Sequence, residues 1–304
     1  MSPPPFLKTR EEYQKLVDSV DTFLLDCDGV IYHGPKVVPG VKIVLDMFRE
    51  QGKKIIFVTN NGTKSRRKLK ETFDKLGLGA TIEECFGSAY ASAVYLAEVM
   101  KLPKDKKVYV VGEEGLEEEL DSFGIQHCGG SDPEDRNFKP PIVWEDFKPD
   151  SSVGAVLCAF DSWINYKKMA KAMTYLRNNE ECVLIQTNTD PTFPTHGSLY
   201  PGSGSLSIGI VNSSKRTPLV IGKPNKHMMD AILAHHKFDP SKALMVGDNL
   251  LTDIEFGLNS DIRTLLVMGG VTPRDQIYGE NPSKTVPTFV MESFGDLAVL
   301  ADKE

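Results

Sequence analysis

Apolar and polar positions fall in blocks along the chain, and the blocks predict strands and helices in turn. TFLLD (22–26) is a short apolar run of strand type, and PGVKIVLDMFREQG (39–52) has helical spacing punctuated by Gly40 and Gly52. KIIFVTNN (54–61) reads as a second strand, followed by a basic amphipathic helix from Lys64 to Leu76. SAYASAVYLAEVM (88–100) predicts a further helix with small residues on one side. Apolar strands joined by helices predict a parallel sheet covered on both faces.

KLPKDKK (101–107), with its proline and charges, reads as a linker, after which the rhythm restarts. KVYVVG (107–112), SVGAVLCAF (152–160) and ECVLIQTN (181–188) predict strands, with helices over 115–124 and 165–178. Residues 129–141 and TDPTFPTHGSLYPGSGS (189–205) read as loops, the second leading into a small-residue helix, SLSIGIVNSS. RTPLVIGKP (216–224) then opens another series: helix 226–236, strand ALMVGD, helix 252–258, strand IRTLLVM, and a last strand and helix after Thr288. The expected fold is α/β. A doubly wound, Rossmann-like parallel-sheet core (1–102 and 218–304) carries a second α/β domain inserted at 103–217.

Composition narrows the function. The 304 residues are 40% hydrophobic and 25% charged, as in an ordinary globular protein with a sizeable core. A formal net charge of −7 argues against nucleic acid as a partner. The first twenty residues lack the apolar core of a signal peptide, and no run approaches membrane-spanning length. Five scattered cysteines without a C-x-x-C pair suit reduced thiols better than a disulfide framework or a zinc site. These features predict a cytoplasmic protein, with nuclear presence also open, and no membrane partner.

DCDGV (26–30), TNN (59–61), GKPN (222–225) and GDNLLTD (247–253) each stand at, or just past, the C-terminal end of a predicted parallel strand. That edge of an open α/β sheet is where ligands bind, because loops and helix N-termini converge there. Each stretch alone has a structural reading as a turn, a solvated acid or a helix cap, with Asn249 or Thr252 capping the last. Together they suit phosphoryl transfer. Asp26 and Asp248, helped by Asp253, supply hard oxygen ligands for Mg2+. Thr59 and Lys223 hold phosphoryl oxygens while charge redistributes. Asp26 then attacks phosphorus, and Asp28 protonates the leaving oxygen and later deprotonates water. Gly29 lets the chain turn directly after the two acids.

The motifs DCDGV, VTNNGTKSR, GKPN and VGDNLLTDI resemble those of the haloacid dehalogenase superfamily of aspartate-nucleophile phosphatases. FGSAY, NTDPTFP and PGSGS extend the resemblance to its 4-nitrophenylphosphatase and phosphoglycolate phosphatase branch, especially the fungal 4-nitrophenylphosphatases. The resemblance implies Asp26 as nucleophile and metal ligand, Asp28 as acid/base and metal ligand through its carbonyl, and Asp248 as third ligand, with Asp253 close by. It implies Thr59, Asn60, Asn61 and Lys223 as phosphate contacts, and 103–217 as a cap over the site. Where related pyridoxal phosphatases place a substrate-contacting cap histidine, alignment through the following proline puts Phe193, with His196 just beyond. That departure favours small acid phosphates such as 2-phosphoglycolate over pyridoxal phosphate. Asn249 stands where many relatives carry arginine. The resemblance also implies a possible homodimer through the cap. A dehalogenase or a phosphate sensor is disfavoured by the presence of Asp26, Asp28 and Asp248 together. Outside the motifs, KSRRKLK (64–70) reads as a solvated helix face, with anion steering as the alternative, and Trp144 and Trp163 as cap core or cap interface.

Overall fold

Every strand of the expected core carries apolar side chains on both faces, and this settles how the chain folds. In a computed structural model describing residues 3–195 and 198–301, six parallel strands form one sheet. Their order is Phe289–Met291, Arg263–Val267, Ala243–Gly247, Thr22–Leu25, Lys54–Thr59 and Cys85–Gly87. Successive side chains of a strand point to opposite faces. Phe23, Leu25, Ile55, Phe57, Leu244 and Val246 accordingly enter one core with the helix Val41–Glu50, where Phe23 stacks on Phe48 at 4.1 Å between ring centroids. Leu24, Ile56, Val58 and Met245 enter the other, with the small-residue helix that begins at Ser88. Burying each such side chain contributes roughly 1.5–3 kcal/mol, so the two-faced pattern anchors the register of the sheet.

The second sheet has five parallel strands, in the order Leu219–Val220, Val183–Gln186, Val153–Cys158, Lys107–Val111 and His127–Gly129. One face shares the core of the Ser88 helix, through Val108, Val110, Ala155, Leu157 and Ile185. The other packs Tyr109, Val156 and Leu184 against Ala172, Leu176 and Ile210 of the helices Tyr166–Asn178 and Ser203–Ser214.

Some expectations change. Leu219–Val220 pairs with Ile185–Gln186, so the second sheet takes in two residues beyond the expected boundary at 217. Only two residues pair there, too few for periodicity to assign them to either sheet. The loop after Asn188 contains an antiparallel hairpin, Thr192–Thr195 with Ser198–Pro201. Its prolines and glycines had marked it as irregular. Trp144 and Trp163 are 63% and 52% exposed, so neither belongs to a core. A further helix, Arg10–Asp18, stands outside the predicted elements and is opened by a capping box between Thr9 and Glu12. No helix of the described residues is long and apolar enough to cross a membrane.

Candidate active site

Three of the four motif segments, at Asp26, Thr59 and Asp248, end at the same edge of the first sheet because its parallel strands all point one way, whereas GKPN follows Leu219–Val220 of the second sheet. Asp26 directly follows the strand Thr22–Leu25, and its N–H donates to Val246 O of the neighbouring strand at 2.9 Å. Thr59 ends the next strand and is buried. Asp248 directly follows Ala243–Gly247, and Asp253 lies in the wide first turn of the following helix. In that turn Ile254 N–H reaches back to Asn249 O at 3.2 Å, a π-type bond. Asn249 is the cap, its side chain accepting from Leu251 N–H at 2.9 Å.

Lys223 joins the segments. Its Nζ donates to Asp26 Oδ1 at 2.5 Å, to Asp253 Oδ1 at 2.7 Å and to Val58 O at 2.9 Å, and the residue is 3% exposed. Asp253 Oδ2 accepts from the N–H groups of Asp248 at 3.2 Å and Asn249 at 3.1 Å, satisfying donors at the start of the helix. Asp26, Asp248 and Asp253 each offer an oxygen within 4.8 Å of the others. Asp28 is solvent-accessible. Gly29, at φ +87°, turns the chain beside Asp248, where a Cβ would stand 2.2 Å from Asp248 Oδ2.

The electrostatics follow from burial. Asp26 is pushed well up by desolvation, against the pull of Lys223 and reinforced by Asp253 and Asp248. Asp248 is raised to about 6 by burial and then by Asp253, opposed by the Val271 N–H and Lys223. Desolvation also raises Asp28, against Lys64, Lys223 and His33. For Lys223, burial disfavours the charge, but Asp253 and Asp26 outweigh it and hold the ammonium firmly protonated. Three converging carboxylates with one ammonium leave excess negative charge in a poorly solvated place. At 4 Å each like pair repels by about 4 kcal/mol at an effective dielectric constant near 20. A hard divalent cation fits this all-oxygen cluster and would relieve it.

The phosphate-contact candidates divide by what they touch. Thr59 Oγ1 accepts from Asn61 N–H at 3.1 Å, and Asn61 Oδ1 accepts from Thr63 N–H and Oγ1–H at 3.0 and 2.7 Å. Asn60 turns its amide to Lys223 O at 3.0 Å and to both oxygens of Asp190 at 3.3 Å. The Asn60 backbone carbonyl accepts from Asn188 Nδ2 at 2.8 Å and Ser88 Oγ at 2.7 Å. The Asn60 amide nitrogen and the Asn61 side-chain oxygen are therefore bound within the protein, while the buried Asn60 Oδ1 has no partner among the described residues. Phe193 stands in the first strand of the hairpin; its side chain, and all of His196, lie outside the described residues.

Sequence reasoning assigned no role to Asn188, Asp190 or the loop 269–272. The signal was available. TNTD follows the strand Val183–Gln186 as TNN follows the earlier strand, and GGVT follows Arg263–Val267 at the same sheet edge as Asp248. KSRRKLK is largely engaged with acids, Arg67 and Lys68 pairing with Glu118 at 3.1 and 3.3 Å and Lys70 with Asp74 at 2.7 Å.

Known proteins resemble this chain in sequence and fold. A family model described as haloacid dehalogenase-like hydrolase matches residues 23–126, and a second of the same kind, HAD-hydrolase-like, matches 220–297. The 4-nitrophenylphosphatase of Schizosaccharomyces pombe is 45% identical, over 97% of this chain and 99% of its own. The chloroplastic phosphoglycolate phosphatase 1A of Arabidopsis thaliana is 43% identical, over 94% of this chain and 78% of its own. The solved p-nitrophenyl phosphatase from Archaeoglobus fulgidus superposes with a TM-score of 0.76 at 30% identity, covering 92% of this chain and 99% of that one. The chain belongs to the haloacid dehalogenase-like hydrolases, and within them it is a phosphoric monoester hydrolase.

Proposed function

We propose that this protein hydrolyses small-molecule phosphate monoesters with Mg2+ through an aspartyl phosphate on Asp26. 2-Phosphoglycolate and related small acid phosphates are the natural class, and 4-nitrophenyl phosphate is an artificial substrate. The observation that carries this reading is the Lys223 ammonium, held between Asp26 and Asp253 with Asp248 beside them at the strand ends. The names of the two curated relatives support the substrate class.

Bound Mg2+, held by the Asp26 and Asp248 carboxylates and the Asp28 carbonyl, would supply Lewis-acid charge neutralisation, with Asp253 fixing the surrounding donors. Lys223 orients the Asp26 carboxylate and offers its charge to the phosphoryl oxygens, joined by Thr59 and the N–H groups of residues 60 and 61. An Asp26 oxygen forms a bond to phosphorus as the ester oxygen departs, taking its proton from Asp28. Asp28, now a carboxylate, accepts a proton from water. That water attacks phosphorus, the bond between phosphorus and Asp26 breaks, and inorganic phosphate leaves.

In this reading 1–102 with 218–304 is the catalytic core, and the inserted unit is a cap over it whose sheet continues through Val220. A cap of this kind suits metabolites better than phosphoproteins. The five free cysteines support a reducing compartment such as the cytosol. Pairing of two copies through the cap is proposed as well, supported by the exposed Trp144 and Trp163, and sedimentation would read it as twice the 33.7 kDa chain mass.

The test is phosphate release from 2-phosphoglycolate, glycerol 3-phosphate, pyridoxal phosphate, sugar phosphates and 4-nitrophenyl phosphate, with Mg2+ and then with EDTA. Turnover should require Mg2+, favour small acid phosphates among the metabolites, and fall by several orders of magnitude in Asp26→Asn. Sustained turnover in that variant or in EDTA would overturn the mechanism.

A further inference from the structure

The loop that follows the strand Arg263–Val267 encloses the Asp248 carboxylate from one side. Val271 N–H donates to Asp248 Oδ2 at 2.9 Å, and Thr272 N–H donates to Asp248 O at 3.1 Å. The buried Thr272 hydroxyl accepts from Leu250 N–H at 3.3 Å, tying the loop to the start of the helix that carries Asp253. Gly270 lies against the same carboxylate. A Cβ there would stand 1.7 Å from Asp248 Oδ2, whereas a Cβ on the adjacent Gly269 would meet nothing closer than Glu292 O at 4.0 Å. Neither glycine has a positive φ, so alanine is conformationally admissible at both and the difference between them is space. Gly29 closes the carboxylate from the opposite loop, again against Oδ2.

We propose that Gly270, Val271 and Thr272 are positioning residues for Asp248: they hold Oδ2 by a backbone N–H and a glycine-wide slot, which leaves Oδ1 for the metal. This rests on the reading of Asp248 as a metal ligand. Two features make the loop a positioning device rather than a generic turn. It touches Asp248 at both its carboxylate and its backbone carbonyl, and it is hydrogen-bonded to the helix that brings Asp253 to Lys223. Groups that orient ligating carboxylates typically change metal affinity roughly 10–100-fold when lost.

The experiment compares the full-length wild type with Gly270→Ala, Gly269→Ala, Thr272→Val and Thr272→Ser. Mg2+ binding to EDTA-stripped protein is measured by calorimetry, with thermal melting in EDTA and kcat and KM for 4-nitrophenyl phosphate alongside. Gly270→Ala should weaken Mg2+ binding at least about tenfold and shift the Mg2+ dependence of kcat equally, while KM at saturating Mg2+ changes little. Gly269→Ala should bind Mg2+ within about twofold of wild type. Thr272→Val should lose several-fold, and Thr272→Ser, which keeps the hydroxyl, should recover it. Equal losses at Gly269 and Gly270, or wild-type Mg2+ affinity in a folded Gly270→Ala, would overturn the proposal. If Gly270→Ala does not fold, the Thr272 pair decides: unchanged affinity in Thr272→Val overturns it, and loss with recovery in serine supports it. A wild type that binds no Mg2+ would instead sink the metal reading of the site, and the loop's role with it.

Discussion

Single side chains divide the labour at this site through their surroundings. Asp26 is buried beside Lys223, while Asp28, two residues on, is solvent-accessible. One carboxylate is thus held by an ammonium and the other faces solvent, which suits the acid and base role proposed for Asp28. Asp28→Asn should accordingly depend on the ester. The first-step burst with 4-nitrophenyl phosphate should survive far better than with an alkyl ester, whose turnover should drop about 10²–10⁴-fold, the usual contribution of general acid–base catalysis. Rapid-quench measurement of the two bursts checks this, and equal damage to both would exclude Asp28 as the acid. The identity and spacing of these two residues were plain in DCDGV. Their different environments were not, because burial depends on Lys223 and Asp253, which arrive from far along the chain.

Elements are placed by their apolar faces, and polar residues at their ends carry the consequences. The helix Lys226–His235 buries Met228, Met229 and Ile232 and leaves His236 at its C-cap, packed on Phe86 with ring centroids 5.8 Å apart. Burial, followed by the charges of His235, Lys54 and Arg66, lowers the His236 pKa from 6.5 to about 4. Unfolded chain takes up this proton near pH 6.5, whereas folded protein does not until about pH 4. The unfolded state therefore binds more protons in that window, and stability is lost as pH falls through it. Between pH 7 and 4.5 the wild type should lose about 2 kcal/mol more than His236→Phe, measured by denaturant unfolding. Equal losses would show that the imidazole is not held neutral. The periodic helix was readable from the sequence, and its observed end falls one residue before the expected 236. Which sheet the strand Leu219–Val220 joins, and the hairpin at 192–201, were not readable, since a pairing so short or a segment so rich in proline and glycine leaves no periodic signal.

At the scale of the whole molecule, two parallel sheets share one apolar core and are also joined by polar contacts at the active-site edge. Asn188, just past a strand of the second sheet, donates to the carbonyl of Asn60, just past a strand of the first, and Asn60 reaches Asp190 and the Lys223 carbonyl in return. Gly222 makes the close approach possible, since a Cβ there would stand 2.5 Å from Thr187 O and 2.7 Å from Asn60 Oδ1. Asn188→Ala leaves the buried contact unmade, so unfolding should become easier by about 1–3 kcal/mol. Because Asn60 adjoins Thr59, kcat/KM should also fall, by about tenfold for a loss of 1.4 kcal/mol in the transition state. Melting curves and steady-state kinetics on one preparation check both, and a variant unchanged in each would show that the two sheets are coupled by packing alone. By itself the sequence determined the longer buried strands, their parallel run and the acids at their ends, because burial on two faces leaves an apolar run and parallel strands of one sheet terminate at one edge. Only the tertiary structure decided which oxygens Lys223 holds, that Gly270, Val271 and Thr272 enclose Asp248, and that Asn60 serves the junction between sheets. Those contacts join residues distant in sequence, and hydrogen bonds formed across such distances impose no period on the chain for a reader to find.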